Sequence, residues 1–468
     1  MNRSINKHFF VAFSQLLIAL KGLILLPILV KNLELNEYAE FVLIITFLNI
    51  IFGLSSLGLD YTYKRALPTI NSNKTKGYIF SKQFVLNIIT LIFIILILYI
   101  LRNIIDENLI PNYSAYYNES ILFISGIFIW SQCNNYFRFS GRFNLFSLSI
   151  LIAPYLTIFI IVIFVLFEKG NIQNFLISNT LAYWIMSIPL IFLMFSEIKL
   201  TKFKIRLTEI KKDIKTGFPF TINNFLDFIL NSSDKFVISY FLGTYAVGLY
   251  SPSYSVSLLL AFVPKVLLII LPYDYTKLYE KKQFKNIEEN VNKYLTIFIT
   301  ISIPLIFLSI IFSEPLLLFL TNIEIAKSST KLIPIILTGT IFYGSNLILI
   351  PILFTYKLPQ ILLKSNIIAA LLNISLNIVA LYFLKDLRVA AISTLISYGM
   401  SFLVVYIYIK KILTIKLNLR YIVNSILFGL IMNTSFFLFF SSTSIWIAFL
   451  IYLLIYLIFL YFIIKKLF

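Results

Sequence analysis

The chain has 468 residues, of which 60% are hydrophobic and only 13% are charged, and its mean hydropathy is +0.93. Soluble domains carry about 45–50% apolar and about 25% charged residues, so these values exclude a soluble fold of this length. The apolar residues form long continuous runs, unlike the weak alternating segments of an outer-membrane barrel. The composition therefore predicts an all-α, multi-pass integral membrane protein.

A membrane-spanning helix needs about 20 largely apolar residues. The apolar runs between charged or turn-rich breaks predict about fourteen transmembrane helices. Their approximate bounds are 8–30, 38–58, 79–101, 119–137, 146–167, 172–195, 216–242, 246–273, 294–312, 332–354, 361–384, 389–409, 421–440 and 443–464. The first run lacks a small-residue cleavage site, which favours a retained helix over a signal peptide.

The formal charge of +19 indicates the orientation of these helices rather than a nucleic-acid partner, because cytoplasmic loops are enriched in Lys and Arg. With the N-terminus inside, 27 of the 39 basic residues fall in inner segments and 7 in outer loops. This asymmetry predicts an even number of spans with both termini in the cytoplasm.

The most basic stretch divides the chain into two halves. Residues 1–198 are predicted to form an N-terminal lobe of six helices, and 199–215 a basic cytoplasmic linker on the anionic inner leaflet. Residues 216–410 are predicted to form a C-terminal lobe of six helices, and 411–468 the last two helices. Residues 32–41 and 241–250 are weakly similar at an offset of 209, which suggests parallel repeats, as in transporters whose halves rock against each other.

A polar stripe marks the seventh predicted helix. At 100° per residue its members fall within about 100° of one another; they are Asn224, Asp227, Asn231, Asp234 and Lys235. Ionisable groups at membrane depth are expensive, so they usually face a cavity or a partner. We interpret the stripe as a cavity wall; the alternative is that Asp234 and Lys235 neutralise neighbours and fix helix packing.

Two more cations lie inside predicted spans: Lys21 in the first and Lys265 in the eighth, where Lys265 shares a stripe with Tyr254. Either lysine could instead extend its amine to the membrane interface. As cavity residues, Lys21, Lys235 and Lys265 predict an anionic substrate such as a phosphate headgroup. Asp60 and Arg65 lie at the predicted cytoplasmic end of a helix. They are interpreted either as topology anchors or as a possible inner gate.

Four segments, in order along nearly the whole chain, resemble the Wzx-type polysaccharide-biosynthesis flippases, which transport O-antigen and capsule precursors. They are residues 231–256 (NSSDKFVISYFLGTYAVGLYSPSYSV), 55–68 with Gly58 and Arg65 in place, 271–294 and 388–400. One departure lies in the first half, where the usual glycines are replaced by Glu34 and Ala39.

The resemblance implies the fold of the multidrug/oligosaccharidyl-lipid/polysaccharide exporter superfamily. It implies a flippase that moves polyprenyl-diphosphate-linked oligosaccharide from the cytoplasmic to the outer leaflet by alternating access of two lobes. Such a protein is not an enzyme and needs no cofactor, with H⁺ or Na⁺ as a possible coupling ion. The implied location is the inner, cytoplasmic membrane, and the implied partners are the lipid-linked glycan, membrane lipids and possibly a polysaccharide polymerase, with no nucleic acid.

Three alternatives remain open at this point. A cation-coupled multidrug antiporter of the same superfamily would want a cavity dominated by carboxylates. A glycan polymerase or ligase generally needs a long outer loop with catalytic Arg or His, whereas the single histidine, His8, is near the N-terminus. A lipid II flippase shares the fourteen predicted helices, and only the resemblance argues against it.

Overall fold

The structure is a computed structural model, and it describes residues 2–59, 70, 72–167, 169–198, 207–440 and 444–467. About 90% of it is helix, and no strand occurs in these ranges. Sixteen α-helices are described: α1 Asn2–Asn32, α2 Leu35–Leu54, α3 Asn73–Asn108, α4 Tyr117–Phe139, α5 Phe143–Leu166, α6 Ile172–Glu197, α7 Leu207–Leu242, α8 Thr244–Leu258, α9 Phe262–Glu280, α10 Phe284–Leu320, α11 Ile323–Ser329, α12 Leu332–Thr355, α13 Pro359–Leu384, α14 Leu387–Ile409, α15 Leu419–Ser435 and α16 Ile445–Leu467.

Each of the fourteen predicted spans overlaps helix in the structure, and the eighth is built from α8 and α9 together. Within the described ranges, twelve helices are long and apolar enough to cross a membrane. The helices α4 and α7 are not among these twelve, because polar and charged residues lower their hydropathy. The all-helical membrane fold is confirmed, while fourteen crossings and cytoplasmic termini stay predictions.

The chain forms two compact units, Met1–Tyr245 and Ala246–Phe468. The helix that was predicted to open the second lobe, α7, therefore lies within the first unit. Its first two turns also occupy part of the predicted linker, since α7 begins at Leu207. The rest of that linker, residues 199–206, lies outside the described residues, and the division into two lobes of six helices stays a prediction.

The weak repeat has a counterpart in local structure. The helix boundary at Glu34, between α1 and α2, corresponds at the offset of 209 to the boundary at Gly243, between α7 and α8. Gly243 has φ +86°, a conformation that favours glycine. Glu34 has φ −61° and ψ 157°, and its backbone N–H donates to the Glu37 carboxylate at 3.1 Å. Because Glu34 is in an ordinary extended conformation, this turn does not require the glycine that the flippase pattern would place there.

Each unit has its own buried core. In the first unit, Phe80 of α3, Cys133 of α4 and Met194 of α6 belong to one cluster. In the second unit, a larger cluster joins α9, α10, α12, α13 and α14 around residues such as Ile348 and Val405. Helices in lipid associate through close packing and interhelical hydrogen bonds, so these contacts hold the polar residues of each unit in place.

Candidate functional site

The polar stripe lies on α7, and its residues become more buried toward the C-terminal end of that helix. Asn224 is exposed, Asp227 and Asn231 are half-buried, and Asp234 and Lys235 are only 1% and 8% exposed. The helix continues from Asp234 to Leu242, so the buried pair lies about two turns before the end of α7. The stripe therefore ends in one acidic and one basic group that are both buried.

Asp234 and Lys235 interact directly. The Lys235 Nζ is 3.9 Å from Asp234 Oδ1, and the same carboxylate oxygen accepts the Lys235 backbone N–H at 2.9 Å. One turn earlier, the Asn231 side chain donates to the Asp227 carbonyl oxygen at 2.6 Å. Removing two charges from water is costly, and their attraction offsets part of that cost only when they stay paired. The pair is thus a locally neutral element within a polar stripe.

Lys21 is a different kind of cation. It lies in α1 and is half-buried, and among the described residues it makes no hydrogen bond and no ion pair. Its helix is attached to α5 by the Tyr155 hydroxyl, which donates to the Leu17 carbonyl oxygen at 2.9 Å. An ammonium group at membrane depth that has no anionic partner in the described part of the chain can bind the anion of a ligand.

The stripe predicted for Tyr254 and Lys265 is interrupted. The helices α8 and α9 are joined by a 3₁₀ turn, Leu259–Ala261, which precedes Pro264. Pro264 has no backbone N–H that could donate to the carbonyl four residues earlier. A 3₁₀-helix rotates by about 120° per residue and an α-helix by about 100°, so these three residues shift the helix phase by about 60°. Tyr254 is buried and Lys265 is exposed, and the turn between them changes the angle that a continuous α-helix would give, so a shared stripe stays a prediction.

The Tyr254 hydroxyl is part of a buried tyrosine cluster in the second unit. It lies 2.9 Å from the Tyr398 hydroxyl, and the Tyr398 ring stacks on Tyr343 with centroids 5.0 Å apart. This arrangement connects α8, α12 and α14. The contact explains Tyr254 as a packing residue, a role that the sequence could not reveal because its partner is 144 residues away.

A second polar network in the same unit was not predicted. The Asn346 amide donates to the Ser401 hydroxyl at 2.9 Å, which is also 2.9 Å from the Ser365 hydroxyl. Further along, Asn377 donates to Asn373 at 3.1 Å. Asn366, Asn373 and Asn377 are spaced at seven and four residues in an apolar helix, and that spacing could have indicated a polar face. Such side chains join neighbouring helices within a membrane.

An ion-pair cluster fixes the start of α7, also without a sequence prediction. Lys82 of α3 places its Nζ 2.7 Å from Glu209 and 3.4 Å from Asp213, which are one turn apart on α7. Glu209 and Asp213 are acidic residues in an otherwise basic stretch, which is the signal that could have found them. The proposed gate residues Asp60 and Arg65 lie outside the described residues.

The fold has known counterparts. The structure resembles the inward closed conformation of the lipid II flippase MurJ, with TM-score 0.71 and 17% identity over 99% of this chain and 98% of that one. It also resembles the inward-facing conformation of a multidrug resistance MATE family transporter of the MOP superfamily, with TM-score 0.67 and 14% identity over 86% and 97%. The outward-facing conformation of such a MATE transporter gives TM-score 0.63 and 15% identity over 86% and 94%. These likenesses show that the chain shares the fold of MurJ and of the MATE transporters.

The sequence identifies the family within this class. Residues 4–273, more than half of the chain, match the family described as polysaccharide biosynthesis protein, and residues 219–379 match the MatE family. A comparison with curated proteins gave no match. The chain belongs to the polysaccharide biosynthesis protein family, and it is a multi-pass membrane protein whose structural neighbours are transporters and a flippase.

Proposed function

We propose that this protein is a flippase in the inner membrane that moves a polyprenyl-diphosphate-linked oligosaccharide from the cytoplasmic to the outer leaflet, for O-antigen or capsule biosynthesis. Family membership supports a role in polysaccharide biosynthesis. The observation that carries the substrate class is Lys21, a half-buried cation within an apolar helix that forms no ion pair among the described residues. A diphosphate supplies the anion that such a group lacks.

The α7 stripe has a complementary part in this proposal. Its exposed and half-buried members, Asn224, Asp227 and Asn231, offer amide and carboxylate groups that can hydrogen-bond sugar hydroxyls. Lys235 adds a second ammonium, and Asp234 holds it as a pair until a diphosphate competes for it. Lys265 is exposed on α9 and is the third proposed cation. Tyr254 also belongs to the proposed site, where its role is structural because it packs against Tyr398.

Transport in this proposal needs no covalent step. The diphosphate binds the lysines while the protein is open inward, the glycan occupies wet space, and the polyprenyl chain stays in lipid. A change to the outward-open state then exposes the headgroup to the outer leaflet. H⁺ or Na⁺ is the proposed coupling ion, and a polysaccharide polymerase is the proposed recipient of the product.

Neutralising the proposed cations should stop export. In Lys21→Gln, Lys235→Gln and Lys265→Gln, we expect surface polysaccharide to fall at least tenfold and lipid-linked glycan to accumulate, since each change removes a charge from the diphosphate contact. The control is Lys364→Gln, an exposed lysine at the start of α13. Surface polysaccharide is measured by immunoblotting, with protein level in the membrane as reference. Normal polysaccharide in all three variants would refute the cation role.

A second candidate is lipid II transport, which is favoured by the extent of the structural likeness to MurJ. Both substrates carry a polyprenyl diphosphate, so the lysines fit either one. Complementation separates the two functions. We expect the gene to restore surface polysaccharide in a strain that lacks its O-antigen or capsule flippase, and to fail in a strain depleted of its lipid II flippase; the reverse pattern would assign lipid II instead.

A further inference from the structure

A narrow groove lies between the last turns of α1 and α5 in the first unit. It encloses about 260 Å³ and has mostly apolar walls; the lining residues are Pro27, Ile28, Lys31, Asn32, Val162, Val165 and Leu166. Sites that enclose drug-sized ligands occupy roughly 300–1,000 Å³, so a space of about 260 Å³ suits a segment of hydrocarbon chain better than an oligosaccharide.

The position of the groove along the two helices follows from their contacts. The Tyr155 hydroxyl of α5 joins the Leu17 carbonyl oxygen of α1. Pro27 is ten residues beyond Leu17, which corresponds to about 15 Å along a helix. At Pro27 the helix loses one backbone hydrogen bond. The groove thus occupies only the last turn and a half of each helix, at the side of the membrane that is predicted to face outward.

A lysine, Lys31, lies at the end of this groove that is formed by the last residues of α1. Lys31 is exposed, and among the described residues it forms no hydrogen bond or ion pair through its ammonium group. The nearby Glu37 carboxylate accepts the Glu34 backbone N–H at 3.1 Å. The neighbouring polar side chain, Asn32, is already hydrogen-bonded within its own helix, since its amide donates to the Ile28 carbonyl oxygen at 2.7 Å. Lys31 is therefore the group that a ligand in the groove would meet at headgroup level.

We propose that this groove binds one anionic phospholipid, with an acyl chain along the apolar wall and its phosphate on Lys31. The apolar lining matches a chain, and the ammonium at the helix end matches a phosphate by charge and by depth. The site is separate from the diphosphate contacts proposed above, because Lys31 lies ten residues, or about 15 Å, from Lys21 along the same helix.

The test measures lipid binding by the purified full-length protein, delipidated and titrated with phosphatidylglycerol under native mass spectrometry. We expect the first phosphatidylglycerol to bind about fivefold more weakly to Lys31→Gln, since one Lys near a membrane surface contributes about that factor. The matched control is Lys327→Gln, an exposed lysine of α11 in the second unit, which should bind as the wild type does. Phosphatidylcholine should bind the wild type more weakly than phosphatidylglycerol.

A second variant tests the chain rather than the charge. Val165→Phe fills the groove and should weaken the same binding step, whereas Val263→Phe, at a valine that is 49% exposed and outside the groove, should not. Equal affinities of Lys31→Gln and Lys327→Gln, or equal losses in the two valine variants, would overturn the proposal. So would tighter binding of polyprenyl phosphate than of phosphatidylglycerol, because the groove would then belong to the transported lipid.

Discussion

Replacing Asp234 alone should destabilise the protein, whereas replacing Asp234 and Lys235 together should restore its stability but not its transport. In Asp234→Asn, the buried ammonium of Lys235 loses the carboxylate at 3.9 Å. Breaking a buried ion pair on one side costs about 3–5 kcal/mol, while removing both charges can be neutral. We therefore expect a loss of about 3 kcal/mol in the free energy of unfolding for the single variant and less than 1 kcal/mol for Asp234→Asn with Lys235→Met.

The measurement combines unfolding in detergent with surface polysaccharide in cells. The matched control is the pair Lys285–Glu289 on α10, whose atoms are 4.0 Å apart and whose side chains are 87% and 64% exposed. Single and double neutralisation there should change stability by less than about 1 kcal/mol, because water screens exposed pairs. If the double Asp234/Lys235 variant exports polysaccharide normally, the pair contributes to helix packing and not to transport. A stable Asp234→Asn single variant would contradict the buried-pair argument.

The second large effect is expected at Gly217 of α7. A Cβ at this position would lie 1.8 Å from the Gly58 carbonyl oxygen and 2.6 Å from the Gly58 carbonyl carbon. Both atoms belong to the backbone and cannot rotate away, so even Gly217→Ala must separate α7 from the turn after α2. Overpacking costs typically 1–3 kcal/mol and occasionally more, and we expect a loss of at least 3 kcal/mol in the free energy of unfolding.

Gly22 provides the control for this prediction. It lies in α1, where an added Cβ would meet no atom within 4 Å. Gly22→Ala should be neutral or stabilising by about 0.5–1 kcal/mol, because alanine loses less conformational freedom than glycine in a helix. Thermal unfolding in detergent and the monodisperse yield report both variants. A Gly217→Ala protein as stable as Gly22→Ala would show that the backbones of α2 and α7 are not in contact.

The sequence predicted the helices well because length and hydropathy control them. Every apolar run of about 20 residues became helix, including α4 and α7, whose polar residues keep them below the hydropathy of the other spans. The start of α7 was less predictable, because this helix continues through polar sequence. It begins at Leu207, within the basic stretch 199–215 that was predicted as a linker, and there Glu209 and Asp213 pair with Lys82 of α3.

The candidate site was only partly predictable, for a related reason. Periodicity predicts that Asn224 to Lys235 share one face of α7, and the structure has a continuous helix over these residues. The same arithmetic does not apply unchanged to Tyr254 and Lys265, because a 3₁₀ turn before Pro264 changes the helix phase between them. Contacts distant in sequence, such as Tyr254 with Tyr398, have no periodic signature at all. Gly58, one of the matches to the flippase pattern, lies against the backbone of Gly217, a contact that the sequence did not predict.

The most direct test of the proposed transport uses purified protein in liposomes that contain a labelled polyprenyl-diphosphate-linked oligosaccharide. The fraction of glycan that becomes accessible to a membrane-impermeant reagent is followed over time. Wild-type protein should raise this rate at least tenfold over protein-free liposomes, and Lys21→Gln should remove most of the increase while Lys364→Gln keeps it. A wild-type rate equal to that of protein-free liposomes, or a Lys21→Gln rate equal to the wild type, would contradict diphosphate recognition by the intramembrane lysines.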